Sequence, residues 1–242
     1  MIDPLVSSSH PGNDGRMSVH QALFDSTLHE ALRHWELPIT PTQAGRLGVH
    51  FEAVVEANRT MNLTRITDPV EAAVKHYADS LALLLWSRDR AIAVRTVLDV
   101  GPGAGFPAVP LAVMRPEWAV TAMDATRKKV DFLARTVPAI GLTNLAVEHA
   151  HAGHWQPDRT FDAVATRALG PLLKGLELCA AFVKPGGWLV AYKTASVARD
   201  EIAAAEKLLK RTRMRVEEPF AYDLQLGDET LHRTLHIFRR TK

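Results

Sequence analysis

Residues 96–106 read TVLDVGPGAGF and predict a strand, a glycine-rich turn and the beginning of a helix. The apolar run from Thr96 to Val100 is typical of a buried strand, and the apolar stretch 109–114 follows the turn. Glycines let the backbone turn sharply and let a ligand approach without an intervening Cβ. The exposed N–H groups at the start of the following helix favour a nucleotide-like ligand.

The glycine spacing distinguishes between two classes of such ligands. A dinucleotide-binding fingerprint is G-x-G-x-x-G and would need glycine at the position of Phe106. The chain has Gly101, Gly103 and Gly105 instead, a G-x-G-x-G pattern that resembles the first motif of S-adenosylmethionine (SAM) dependent methyltransferases. The alternative is a glycine-rich turn of some other α/β protein.

Asp124 closes the next apolar run, 119–123, at the usual distance for an acidic residue that binds a ribose. The same carboxylate could instead cap the helix that follows. Both Asp124 and the glycine turn come at the carboxyl ends of predicted strands, where open α/β sheets bind their ligands.

Composition narrows the class of protein. The 242 residues allow one large domain or one domain with an appendage, and 47% hydrophobic residues indicate a globular chain. Cys179 is the only cysteine, which excludes an intrachain disulfide and a cysteine zinc site. The apolar run 81–86 is too short to span a bilayer, and the first residues lack a secretory signal. We therefore expect a cytoplasmic protein without membrane contact.

The net charge is only +2, but the basic residues are clustered. Arg127, Lys128 and Lys129 follow Asp124 directly, so a polyanionic partner such as RNA is plausible, with a solvated helix face as the alternative. The HAGH loop, residues 151–154, has neither a cysteine nor a carboxylate between its histidines, so no metal site is predicted.

Three regions follow from the pattern along the chain. Residues 1–17 show little periodicity and predict a disordered tail, residues 18–90 predict a helical extension, and residues 91–242 predict the ligand-binding domain.

Three features predict the helices of the extension. Leu23, Leu28 and Leu32 recur at helical spacing. Thr40 or Thr42 is predicted to cap a second helix. A third is expected to begin with Asp68 as N-cap, Pro69 in the first turn, and Val74, Tyr77, Ala78, Leu81 and Leu85 on its apolar side.

Strands and helices alternate in the second region, which predicts a doubly wound, mostly parallel α/β sheet. Predicted strands are 96–100, 119–123, 145–149, 161–166 and 188–193, and predicted helices are 107–115, 126–140, 171–183 and 197–212. Residues 185–187 predict a turn between a helix and a strand. The alternating segment 231–238 predicts an antiparallel strand at the edge of the sheet.

Six collinear segments together resemble one known family, the RsmG (GidB) methyltransferases of small-subunit ribosomal RNA. They are Asn62–Leu63–Thr64 with Asp68–Pro69, His76 with Asp79 and Ser80 in KHYADSLALL, the glycine turn continuing GFPAVPLA, MDATRKKVDFL from Met123, Thr166–Arg167–Ala168, and KPGGWLVAYK ending at Lys193.

This resemblance implies a class I, Rossmann-like methyltransferase fold with a small helical N-terminal extension and SAM as cofactor. It implies methylation of N7 of a guanine in 16S ribosomal RNA, with that RNA or the small ribosomal subunit as partner, by a protein expected to be a monomer. Two alternatives stay open: a SAM-dependent methyltransferase with another acceptor, and a non-catalytic RNA-binding module for ribosome assembly. Pro102, Thr194 and the HAGH loop depart from the family pattern.

The candidate cofactor-binding residues lie in or near the strand ends described above. Arg167 would face the SAM carboxylate, the methionine moiety or an RNA phosphate, or it is a surface arginine. The full set is Gly101, Gly103, Gly105, Phe106, Asp124 and Arg167.

No catalytic acid or base is predicted, because guanine N7 carries no proton and the enzyme mainly has to align donor and acceptor. At helical spacing His76 and Asp79 share a face and could hydrogen-bond each other, either in the acceptor pocket or as a structural pair. The other acceptor-side candidates are Asn62, which could equally be a turn residue, Ser80, and Lys193, which could contact phosphate or extend from a strand end.

Overall fold

The computed structural model describes residues 18–156, 158–167, 169–194 and 205–242. The predicted tail, Ala168 and the first residues of the predicted helix 197–212 lie outside the described residues.

The N-terminal extension is helical, as predicted. Its elements are α1 (Val19–His34), α2 (Pro41–Met61), α3 (Pro69–Ala72), a π-helical turn (Ala73–Ala78) and α4 (Ala82–Asp89). Thr40 caps α2 in a capping box with Gln43, and the Asp68 carboxylate accepts a hydrogen bond from the Glu71 N–H (2.9 Å) at the start of α3. Both helix starts therefore follow the local capping chemistry that the sequence predicts.

The sheet has eight strands and is mostly parallel. The strands are β1 (Thr96–Val100), β2 (Ala119–Asp124), β3 (Leu145–His149), β4 (Phe161–Arg167), β5 (Val183–Thr194), β6 (Met214–Val216), β7 (Phe220–Leu226) and β8 (Glu229–Arg240). The order is β3-β2-β1-β4-β5-β8-β6, and β7 also pairs with β8. The order in which successive strands are added to the sheet reverses between the parallel strands β1 and β4, and this leaves a crevice at their carboxyl ends, where sheets of this kind bind ligands.

Helices cover both faces of this sheet. After the extension come α5 (Ala108–Met114), α6 (Arg127–Ala139), α7 (Leu172–Cys179), a 3₁₀ turn (Ala180–Phe182) and α8 (Glu206–Thr212). Neighbouring strand residues point to opposite faces. Val97 accordingly packs in the core shared with the extension, α5 and α6, while Leu98 packs in the core under α7 and α8.

The carboxyl-terminal part of the sheet differs from the prediction in two ways. Segment 231–238 lies inside β8, which is not an edge strand, because β5 pairs along one side and β6 and β7 along the other. Residues 185–187 do not separate a helix from a strand but lie within β5, where the register with β4 shifts between Phe161 and Ala163. Alternation of apolar and polar residues predicts a strand but not the strands that pair with it, so β6 and β7 were not predicted from the sequence.

The buried face of α1 also differs from the prediction by one residue. Phe24, Leu28 and Leu32 are fully buried, whereas Leu23 is 44% exposed. The Phe24 ring stacks on Phe51 of α2 at 4.8 Å between centroids and meets the edge of Tyr77 at 4.7 Å. The aromatic residue, not the preceding leucine, therefore anchors α1.

The predicted boundary at residue 90 falls between α4 and β1, and the division into regions stays a prediction. One continuous apolar core includes Leu28, Phe51 and Tyr77 of the extension together with Val97 and Val190 of the sheet. Among the described helices, none is long and apolar enough to cross a bilayer.

Replacing Phe24 with alanine should lower the free energy of unfolding by about 3–5 kcal/mol, because it leaves a cavity among buried rings. The neighbouring change Leu23→Ala should stay within about 0.5 kcal/mol, since its side chain is largely exposed. Urea unfolding of both variants measures the difference. Equal losses would contradict the assignment of Phe24 as the anchor.

Candidate functional site

A cleft of about 490 Å³ opens at the carboxyl ends of β1, β2 and β4, where the strand order reverses. Five predicted cofactor-binding residues and one predicted acceptor-side residue line it: Gly101, Gly103, Phe106, Asp124, Arg167 and His76. Gly105, Asn62, Asp79, Ser80 and Lys193 do not line this cleft. The topology thus brings together most of the residues that the glycine turn and the strand ends indicated.

Asp124 ends β2 and its carboxylate braces the glycine turn. One oxygen accepts a hydrogen bond from the Gly103 N–H (3.2 Å) and the other from the Thr126 N–H (2.8 Å). An ionised carboxylate has about four acceptor positions, so two remain for ligand hydroxyls. Lys129 places its ammonium 4.0 Å from the same carboxylate. Asp124 can therefore hold the loop and accept from a ribose at the same time.

Gly103 and Gly105 serve different purposes in the turn, and both have positive φ angles. A Cβ on Gly103 (φ +60°) would meet nothing within 4 Å, so this backbone faces open space at the cleft. A Cβ on Gly105 (φ +111°) would lie 2.7 Å from Val109 Cγ2 and 3.1 Å from His50 Nε2. Gly105 is therefore a close-packing position that seats the turn against the helices.

Phe106, the residue that breaks the dinucleotide fingerprint, connects the turn to the extension. Its ring stacks on His76 at 4.7 Å between centroids and meets the edge of Tyr77 at 5.0 Å. The Thr64 hydroxyl lies 2.7 Å from His76 Nε2 and fixes the imidazole. Thr64, His76 and Phe106 form one wall of the cleft.

The prediction that His76 and Asp79 form a hydrogen bond with each other is wrong. His76 lies in the π-helical turn and Asp79 follows it directly. Because i→i+5 pairing widens the helix there, residues three apart no longer lie above each other. His76 turns toward Thr64 and the cleft, while Asp79 points into the protein toward Arg167 and Tyr222.

Burial, with the Arg167 charge adding to it, lowers the pKa of His76 to about 3. The imidazole is therefore neutral at physiological pH.

Arg167 is not a surface arginine. Its side chain is 20% exposed, and one guanidinium nitrogen lies 3.1 Å from Asp79 Oδ2 and also donates to the Lys75 carbonyl. The Tyr222 hydroxyl donates to Asp79 Oδ1 (2.8 Å), and Arg233 Nε lies 3.9 Å from that oxygen. This Asp79 cluster orients Arg167 at the cleft and includes residues from β7 and β8.

Three predicted acceptor-side residues have structural positions. Asn62 adopts a left-handed conformation (φ 51°) at the carboxyl end of α2, as its alternative role as a turn residue predicts. The Ser80 carbonyl accepts a hydrogen bond from the Tyr192 hydroxyl (2.8 Å). Lys193 donates to the Gly170 carbonyl at the end of β5. A direct role of these residues with substrate stays a prediction.

His50 is a site residue that sequence reasoning missed. It is fully buried, with Nδ1 2.7 Å from the Tyr77 hydroxyl and Nε2 2.9 Å from the Ala104 carbonyl oxygen. Because the carbonyl can only accept, Nε2 carries the proton and Nδ1 accepts from Tyr77. Burial lowers the pKa of His50 to about 4. An isolated histidine on a helix face carries no sequence signal of such a bridge.

Asp99 lies beneath the turn and was also missed. Its carboxyl accepts a hydrogen bond from the Ala108 N–H (2.8 Å) at the start of α5. Burial raises the pKa of Asp99 to about 8, outweighing that hydrogen bond, so the carboxyl is largely protonated at neutral pH. An acidic residue two positions before Gly101 was a sequence signal that could have indicated Asp99 as a site residue.

The residues present fit SAM as a ligand. Asp124 has free acceptor positions beside the open backbone of Gly103, which suits the ribose of an adenosine. The walls beyond Asp124 are mostly apolar and suit a flat base: Met123, Ala150, Ala152 and Leu178. The HAGH loop contributes His151 to this end, where its Nδ1 accepts from the Gly153 N–H (3.2 Å).

Gly105→Ala should destabilise the protein more than Gly103→Ala. Both changes place a side chain at positive φ, which costs about 1–2 kcal/mol, but only the Gly105 variant also overpacks the turn, by about 1–3 kcal/mol. Chemical denaturation of the two variants checks this order. A more damaging Gly103→Ala would show that the turn packs through the other glycine.

The His50 bridge should make stability depend on pH. The folded pKa of about 4 lies below the ordinary 6.5, so the unfolded chain binds the proton more readily between these values. Stability from this group is complete above pH 6.5 and is lost as the pH falls toward 4. Urea midpoints across this range should fall less steeply for His50→Gln than for wild type; parallel curves would contradict the bridge.

Comparison with solved structures confirms the predicted fold class. A SAM-dependent methyltransferase from Clostridium acetobutylicum ATCC 824 matches with a TM-score of 0.54 at 10% identity, over 79% of this chain and 98% of that chain. The structure of M. jannaschii TYW2 in complex with AdoMet matches with a TM-score of 0.50 at 15% identity, over 65% and 75% of the two chains. At these identities the likeness concerns the fold alone.

Relatives found by sequence share more identical residues with this chain than those solved structures do. The "Ribosomal RNA small subunit methyltransferase G" of Desulfitobacterium hafniense (strain Y51) is 32% identical over 226 residues, which cover 92% of this chain and 90% of the relative. The protein of that name from Exiguobacterium sp. (strain ATCC BAA-1283 / AT1b) is 38% identical over 189 residues, covering 76% and 78%.

The model of one family, described as rRNA small subunit methyltransferase G (GidB), matches residues 44–222. The match spans the second helix of the extension, the glycine turn and the sheet up to β7. It confirms the predicted enzyme class, a methyltransferase. On these matches the chain belongs to the rRNA small subunit methyltransferase G family.

Proposed function

We propose that this protein transfers a methyl group from SAM to N7 of a guanine in 16S ribosomal RNA. The observation that carries the proposal is the cleft itself, which places Asp124 at one end and the Thr64–His76–Phe106 wall at the other. The first suits the adenosine of the donor and the second suits a planar acceptor base. Membership in the family supports ribosomal RNA as the acceptor.

Five residues would hold the cofactor. Asp124 would accept from the ribose hydroxyls, Gly101 and Gly103 would let the ligand approach the backbone, and Phe106 and Arg167 would line the methionine end. Gly105 supports the same turn from behind.

Bound SAM supplies an electrophilic methyl group on a positively charged sulfur. The chain's own residues need to align a base with that methyl group and exclude water, and orientation can supply about 7–11 kcal/mol of the barrier. Guanine N7 attacks through a lone pair and loses no proton, so no general base is needed. His76, neutral through its burial, brings no positive charge toward the cationic donor.

The acceptor side differs from the set predicted from sequence. Thr64 and His76 line the cleft and are proposed to contact the base, whereas Asn62, Asp79, Ser80 and Lys193 are proposed to act from a distance or structurally. The π-helical turn that carries His76 is a feature often found at functional sites.

Two departures from the family pattern, Pro102 and the HAGH loop, bear on the alternative of a non-catalytic module. The Pro102 carbonyl accepts hydrogen bonds from the Gly105 and Phe106 N–H groups, both 2.9 Å, so the proline is compatible with a well-formed turn. His151 and Ala152 of the HAGH loop line the cleft. Neither departure favours the non-catalytic alternative.

The basic triplet after Asp124 divides into different environments. Arg127 pairs with Asp131 (2.8 Å), Lys128 is exposed, and Lys129 lines the cleft. We propose that the exposed part of the triplet helps to hold RNA across the mouth of the cleft. A monomer acting in the cytoplasm on the small subunit or its RNA completes the proposal.

The decisive assay incubates the protein with small ribosomal subunits lacking the modification, and separately with free 16S RNA, in the presence of labelled SAM. Label should enter RNA, and cleavage chemistry specific for N7-methylguanosine should find it at one guanine. Label at a different atom, or only in protein or small molecules, would contradict the proposed acceptor.

Asp124→Ala should weaken the binding of SAM by about 1–3 kcal/mol, because a paired ribose contact is lost. This corresponds to a Kd roughly 5- to 150-fold higher, measured by calorimetry. Asp131→Ala is the matched control, since that carboxylate lies on α6 and pairs with exposed Arg127. Unchanged SAM affinity in the Asp124 variant would remove this residue from the site.

A further inference from the structure

The Asp79 cluster carries more positive than negative charge. Asp79 is almost fully buried and faces two guanidinium groups, those of Arg167 at 3.1 Å and Arg233 at 3.9 Å. Within the described ranges, no other carboxylate forms an ion pair with either arginine. The Tyr222 hydroxyl competes for the same carboxylate, and burial raises its pKa, so it stays neutral. One negative charge is therefore shared between two partly buried cations.

Arg233 is held less tightly than Arg167. Its Nε lies beyond hydrogen-bond distance from Asp79, and its Nη1 donates to the neighbouring His232 carbonyl (3.0 Å). Its side chain is still 22% exposed. The guanidinium fork thus retains donors that an external anion with two oxygens could accept from.

The sheet register shows where this excess positive charge lies relative to the cleft. In the sheet register Arg233 stands opposite Thr194, at the carboxyl end of β5, next to the strand end that carries Arg167. Asp124 ends β2 on the far side of β1. The two arginines therefore flank the acceptor end of the cleft, away from the proposed ribose position.

We infer that Arg233 binds a phosphate of the RNA strand that carries the acceptor guanine, while Asp79 positions both this arginine and Arg167, which faces the cofactor. This inference rests on the proposed function. A phosphodiester supplies the negative charge that the cluster lacks, and arginine matches phosphate geometry with paired N–H groups. SAM is a poorer match, because its carboxylate is outweighed by an ammonium and a sulfonium.

The first test compares Arg233→Gln with wild type in RNA binding across about 50–200 mM salt. Loss of one phosphate contact to a single strand should make the negative slope of log K against log salt shallower by about 0.7, with the Kd for SAM unchanged. Arg211→Gln is the matched control, an exposed arginine of α8 paired with Glu177, and should keep the wild-type slope. An unchanged slope in Arg233→Gln, or a weaker affinity for SAM instead, overturns the inference.

A second measurement uses the unmodified protein and does not depend on the folding of a variant. Phenylglyoxal labels accessible arginines, and mass spectrometry locates the labels. Bound 16S RNA should protect Arg233, whereas SAM alone should leave its labelling unchanged. Labelling of Arg233 that RNA does not alter, or that SAM alone blocks, overturns the phosphate site.

Assays of the wild-type protein distinguish failure of the phosphate site from failure of the proposed function. If it methylates 16S RNA but Arg233 shows neither the slope change nor RNA protection, only the phosphate site is wrong. If it transfers no methyl group to ribosomal RNA under any of these conditions, the proposed function fails and the inference fails with it.

Discussion

The buried imidazole of His50 is the contact on which the site depends. It accepts from the Tyr77 hydroxyl and donates to the Ala104 carbonyl, so one side chain joins two helices of the extension to the glycine turn. Only a neutral imidazole can be donor and acceptor at once, and burial keeps it neutral. Phe106 adds its ring to the same junction, touching His50, His76 and Tyr77. The wall of the cleft made by the extension is thereby held in register with the turn.

The electrostatics of the cleft follow from burial rather than from the number of charged residues. Burial leaves His76 neutral and raises the pKa of Asp99 to about 8, so two titratable groups near the turn carry little charge at neutral pH. Both carboxylate oxygens of Asp124 accept hydrogen bonds from backbone N–H groups. Charged side chains lie instead at the two ends of the cleft, Asp124 with Lys129 at one end and Arg167 with its cluster at the other. The cleft therefore has a near-neutral middle, which suits the proposed pairing of a cationic donor with an anionic acceptor strand.

The sequence predicted those features that depend on neighbours along the chain. The glycine turn, the carboxylate at the end of β2 and the caps at Thr40 and Asp68 are encoded within a few residues, and each lies where it was expected. His50, Tyr222 and Arg233 could not be found this way, because their partners are distant in sequence and meet only through packing. The expected His76–Asp79 bond failed for another reason: it assumed an α-helical period in a segment that forms a π-helical turn. β8 was recognised as a strand, but alternation says nothing about which strands flank it.

The shared core has a consequence for how the chain reaches its folded state. Phe24, Phe51 and Tyr77 are synthesised early, yet the sheet surface that they share a core with includes Leu235 and Ile237 of the last strand. Asp79 likewise waits for Tyr222 and Arg233. Contacts of such long sequence separation form slowly, because a long loop must close before they can be made. During synthesis the extension must therefore remain incompletely buried until β8 has left the ribosome, the particle whose RNA the protein is proposed to modify.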